Sequence, residues 1–148
     1  MMVKIVINIL TILSFASLSL TLEKEKLTFT TSESFVRVVG YEGSYNMNIS
    51  LEIRTWQEDG VLVFHKFSSA GYLKIFLEQG SCMADIVLSE EGGLVTRLEH
   101  YDTVLSDGVW HKIIFFISKS QASLTVSAHT VTNTLPSQIR TGEDTGKQ

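Results

Sequence analysis

The chain has 148 residues, a hydrophobic share of 44% and a charged share of 19%. That gives room for one domain with a buried core and excludes a disordered composition. The formal net charge is −4 at pH 7, with no basic stripe, which argues against nucleic acid, heparin or an anionic membrane surface as partner.

Met1 to Lys4 reads as a short n-region with one positive charge, and Ile5 to Leu22 carries no charge at all. Small residues at Ala16, Ser17 and Ser19 precede the charged run Glu23-Lys24-Glu25-Lys26. This is the anatomy of a secretory signal peptide. It is assigned to residues 1–19, with cleavage expected between 17 and 22 and a secreted, extracellular product. The alternative is a chain tethered to the membrane by an uncleaved signal anchor, because the uncharged stretch is near the lower limit for a span. Loss of Lys4 takes the net charge from −4 to −5. No later stretch is apolar enough to cross a bilayer, so the mature chain is expected to have no span.

Short alternating runs separated by turn chemistry follow. Leu27–Thr30 and Phe35–Val39 predict two short strands. Met47 to Thr55 alternates throughout, with Met47, Ile49, Leu51 and Ile53 on one face and Asn48, Ser50, Glu52 and Arg54 on the other. A period of two over this length is a half-buried strand. Asp59-Gly60 predicts a tight hairpin leading to the strand Val61–Phe67. After the Ser68–Gly71 turn, Tyr72–Glu78 places Leu73, Ile75 and Leu77 inward. Gln79-Gly80 turns the chain into Met83–Leu88, and Glu91-Gly92-Gly93 turns it into Leu94–Leu98. Trp110–Ile117 is apolar on both faces, which predicts a central strand. Ser118–Ser120 is a polar turn before Leu124–Ala128. About ten strands at this spacing predict an all-β antiparallel sandwich or barrel.

Three segments in order resemble the laminin-G (laminin–neurexin–sex-hormone-globulin) family. Ile49 to Thr55 followed by Gly60-Val61-Leu62-Val63-Phe64 is similar to the family's paired "F-R-T" and "G-L-L-L-F". Tyr72 to Gly80 is similar to its "Y-L-x-L-x-L-x-x-G". Leu105-Ser106-Asp107-Gly108-Val109-Trp110-His111 resembles its "L-N-D-G-x-W-H" hallmark. Ser34–Val38, Arg54-Thr55-Trp56 and Ile139–Gly142 look closest to the contactin-associated protein (neurexin IV) branch. The resemblance implies a jelly-roll β-sandwich over residues 27–148 and an extracellular protein-binding or cell-adhesion module, of neuronal cell-surface type. It also implies a missing closing strand after Gly142. The strand near Leu124–Ala128 is then expected to form an exposed sheet edge and to promote self-association. Two alternatives stand beside this reading: a truncated remnant that binds nothing specifically, and a carbohydrate-binding jelly roll.

The candidate residues are read structurally. Asp107 and Gly108 are expected to form the turn leading into a strand, and Trp110 to supply a buried ring to the core. Its removal should then cost about 3–5 kcal/mol. His111 is expected to satisfy a hydrogen bond beside that ring. No motif supplies a nucleophile or a second acid, so no catalytic residues and no enzyme activity are assigned. Family members that hold calcium use an aspartate just before the "Y-L-x-L" strand. The matched position here is Gly71, so calcium is disfavoured and no cofactor or metal ligand is assigned, although Asp85 and Asp102 lie nearby in sequence. No histidine shows zinc spacing with the lone cysteine, Cys82, which is expected to be a small buried hydrophobe. Asn48-Ile49-Ser50 is an N-glycosylation sequon on the polar face of its strand, which predicts a glycoprotein modified at Asn48.

Overall fold

The computed structural model describes residues 3–8, 26–29, 46–67, 71–87 and 94–135. Among them run ten strands: β1 (Val3–Asn8), β2 (Lys26–Phe29), β3 (Met47–Arg54), β4 (Gly60–Lys66), β5 (Tyr72–Glu78), β6 (Ser81–Val87), β7 (Leu94–His100), β8 (His111–Ile117), β9 (Gln121–Val126) and β10 (His129–Thr134). The expected strand Phe35–Val39, the Gly92-Gly93 turn and the Ile139–Gly142 segment lie outside the described residues.

The strands form two antiparallel sheets. One has the order β10-β9-β8-β3-β1-β2 and the other β4-β5-β6-β7. Alternation places one face of each sheet in a shared core. Leu51 and Ile53 of β3, Ile113, Phe115 and Ile117 of β8, and Leu124 and Val126 of β9 face that core. Leu73, Ile75 and Leu77 of β5, Ala84 and Ile86 of β6, and Leu98 of β7 face it from the other side. Each of these side chains other than Ala84 contributes about 1.5–3 kcal/mol by leaving water. The predicted inward set on β5 and the central position of β8, between β3 and β9, are both observed.

Three expectations are corrected. First, Asp59-Gly60 is not a hairpin. β3 and β4 belong to different sheets, and the φ of Gly60 is 156°, outside the αL region such a turn requires. The segment is a crossover, anchored by Thr55, which is buried and whose hydroxyl accepts from the Gln57 N–H.

Second, the Leu124–Ala128 strand is not an edge. β9 pairs with β8 on one side and with β10 on the other. Ser127, at φ 57°, makes the reversal. Third, Trp110 lies before β8 and is 36% exposed. His111 points inward, so alternation turns its predecessor outward.

The expected leader overlaps the described residues at its front. Val3–Asn8 forms β1 and sits between β2 and β3, with Ile5 opposite Ile53 and Ile7 opposite Leu51. A chain shortened by cleavage at 17–22 lacks this strand, and β3 then keeps β8 as its neighbour.

The side of the sandwich where β7 meets β10 is closed by a polar staple. The Asn133 amide donates to Thr96 Oγ1 at 3.1 Å and to the Arg97 carbonyl at 2.9 Å. β4 ends the other side of its sheet with Val61 and Phe64 exposed, and the Phe64 ring stacks on Tyr72 at 5.4 Å.

Candidate functional site

One end of the sandwich gathers three connections distant in sequence: the β3–β4 crossover (Thr55–Asp59), the β5–β6 turn (Gln79-Gly80) and the β7–β8 loop (Tyr101–Trp110). Backbone hydrogen bonds lock them together. Gly80 N–H donates to the Glu58 carbonyl, Leu105 N–H to the Gly80 carbonyl and Gly108 N–H to the Thr55 carbonyl, all at 2.8–2.9 Å. Gln79 N–H also donates to Asp59 Oδ1 at 3.0 Å. Gln79 and Gly80, at φ 51° and 77°, give the two left-handed positions of a two-residue hairpin turn.

The Asp107–His111 hallmark is the brace of this end. Asp107 Oδ1 accepts from the Val109 N–H at 2.8 Å and lies 2.9 Å from His111 Nε2. The Val109 N–H, and then the His111 ring, hold the Asp107 carboxyl below its ordinary pKa. That pair tethers the loop to β8, because the His111 ring is itself buried. Gly108, at φ 75°, leaves no room for a side chain: a Cβ there would run into the Trp56 ring. The indole of Trp56 therefore lies on the backbone of the hallmark loop. Arg54, on the outer face of β3, places its guanidinium 5.5 Å from the centre of the Trp110 ring.

The outcome is an exposed apolar rim. Trp56 is 72% exposed, Tyr101 63%, Val109 58% and Val104 56%. The Glu99 carboxylate raises the pKa of the Tyr101 hydroxyl by hydrogen bonding. Sequence reasoning singled out Trp110 and the hallmark but missed Trp56 and Val104 as partners in one surface. The Arg54-Thr55-Trp56 run was the available signal.

The other candidate residues lie elsewhere. Asp85, on the outer face of β6, is held by Arg97 of β7 through two bonds of 2.6 and 2.8 Å. Asp102 is exposed on the rim loop, so the two acids do not converge. Gly71 has a φ of 97° and its carbonyl accepts from the Phe67 N–H. Asn48 is exposed on β3. Cys82 is a buried free thiol, opposite Leu77 on β5 and His100 on β7. His100 is fully buried with neither ring nitrogen hydrogen-bonded, and its ring meets that of His129 edge-on at 6.4 Å. Among the described residues, no three His, Cys, Asp or Glu side chains gather as a metal-holding group.

Comparison with known proteins agrees with this architecture. The profile of the laminin G domain matches residues 53–147. Neurexin-4 of Drosophila melanogaster is 40% identical over 116 residues, which is 78% of this chain and 9% of that protein. Contactin-associated protein 1 of Homo sapiens is 27% identical over 120 residues, 78% of this chain and 8% of that protein. The chain thus spans less than a tenth of these relatives. Domains LG4-5 of the mouse laminin alpha1 chain superpose with a TM-score of 0.53 at 26% identity, covering 60% of this chain and 23% of that one. The LG1-3 region of the laminin alpha2 chain superposes with the same TM-score at 22% identity, over 68% and 20%. With the hallmark loop in place, the two antiparallel sheets formed and the profile running from the end of β3 onward, the chain belongs to the laminin G domain family.

Proposed function

We propose that this domain is an extracellular protein-binding and cell-adhesion module of the neuronal cell-surface type, acting by surface contact and not by catalysis. One observation carries the reading: a braced rim of exposed aromatic and aliphatic side chains on a sandwich whose interior is filled. Exposed apolar clusters rimmed by polar residues mark protein-interaction surfaces. The similarity to neurexin-4 and to a contactin-associated protein supports the cell-surface setting. So do the leader-like first 19 residues and the sequon at Asn48, which is exposed on its strand.

The test is binding of the full chain, secreted with a C-terminal tag, to neuronal cells. Trp56→Ala with Val109→Ser should abolish surface binding while leaving secretion intact. Unchanged binding by that variant would sink the reading. Asn48→Gln should remove a glycosidase-sensitive shift in mobility. Because Gly71 stands where the family's calcium-holding members have aspartate, binding should persist in chelator.

A further inference from the structure

We infer that the rim takes a basic, arginine-presenting segment of its protein partner. This deepens the reading of the rim as a binding surface and rests on it. The three connections that build the rim carry Glu58, Asp59, Asp102 and Asp107 and not one lysine or arginine. Asp107 is engaged with Val109 and His111, and Asp59 with Gln79. Glu58 and Asp102 stand exposed around the apolar centre.

Aromatic rings amid acidic groups form a surface that favours a cation carrying its own flat apolar face. A guanidinium is such a group. The protein already uses that contact once, with Arg54 over Trp110. Among the described residues no cation lies over Trp56, whose ring rests on Gly108 and keeps most of its area in solvent. Trp56 is therefore a rim tryptophan whose exposed ring is open to a guanidinium. Lysine meets the charge requirement but lacks the planar face, and an acidic segment is repelled.

The probe is a short Arg-Gly repeat peptide, with Lys-Gly and Glu-Gly repeats for comparison. Each is titrated into the isotope-labelled full chain while the indole N–H signals of Trp56 and Trp110 are followed. The Arg-Gly peptide should shift both signals, the Lys-Gly peptide less, and the Glu-Gly peptide neither. Trp56→Ala and the double variant Glu58→Gln with Asp102→Asn should each weaken the response roughly fivefold or more. Added salt should weaken it further. All three altered side chains are exposed, and unchanged melting curves confirm that the variants fold. An equal response to the Glu-Gly peptide, or shifts confined to residues away from the rim, would overturn the inference. Cell binding that is lost in Trp56→Ala yet indifferent to the double variant and to salt would also overturn it, while leaving the rim as a binding surface. Cell binding indifferent to Trp56→Ala would remove the broader reading as well.

Discussion

Gly108 and Asp107 show how much of the rim depends on single side chains, or on the lack of one. Gly108→Ala introduces a Cβ at φ 75° and drives it into the Trp56 ring. We expect a loss of about 1–2 kcal/mol from the backbone alone, read as a melting temperature several degrees lower, together with a displaced Trp56 indole signal. Trp110→Ala should cost less than the figure for a buried ring, because the side chain faces solvent and Arg54.

Asp107 bears on acid stability. Its folded pKa lies below the ordinary carboxylate value, so its contribution is present above that value and fades as pH falls through the depressed one. Asp107→Asn should flatten this acid limb in melts taken from neutral to strongly acidic pH. At neutral pH the loss should be small, within about 1 kcal/mol, since the carboxylate is 42% exposed and screened.

Among the elements, the outer face of the four-stranded sheet carries its own polar framework. Arg97 forks onto Asp85, its register partner across β6 and β7, and lies over the Phe76 ring, which Lys74 flanks at 4.3 Å. Arg97→Met would keep the cover on Phe76 but leave Asp85, 8% exposed, without its fork. The expected cost is about 1–3 kcal/mol, below that of a fully buried pair because the Arg97 side chain is 37% exposed. Chemical denaturation of the variant against the parent measures it.

Elements also show what could be read in advance. β3 was legible because strict alternation over its length has no helical competitor, and β5 because Leu73, Ile75 and Leu77 keep the same period between two turns. β10 was not. His129–Thr134 is mostly polar, and the preceding reversal uses Ser127 in a left-handed conformation with no glycine or asparagine to announce it. Asp59-Gly60 misled for the opposite reason: a tight-turn dipeptide serves a crossover whose direction is set by Thr55 and the partner sheet. The rim was invisible because the residues near positions 56, 80 and 108 meet only through tertiary hydrogen bonds, and no local pattern encodes that meeting.

Taken whole, the sandwich seals its one cysteine in the core. Burial pushes the Cys82 thiol up to about 12, so almost no thiolate exists at neutral pH. The folded domain should therefore resist thiol reagents, and labelling should track global unfolding, not local opening. The sign follows from the raised value. The contribution is present in full below the unfolded thiol's pKa and is lost as pH climbs from there toward about 12. Fast labelling of the native protein at neutral pH would contradict this placement.

The placing of the tryptophans has an optical consequence. The chain has two, Trp56 and Trp110, and both sit on the rim, outside the core. Intrinsic emission at the red end of the tryptophan range should thus mark the native state, and unfolding should shift its wavelength little. Such a spectrum would ordinarily be taken for a denatured protein. Here it makes the fluorophores a label-free gauge of whether the binding surface is occupied. Because the charged side chains of the three connections are acidic, cesium quenching of Trp56 should be enhanced, and iodide quenching reduced, relative to free indole, and a bound partner should shield the ring from both.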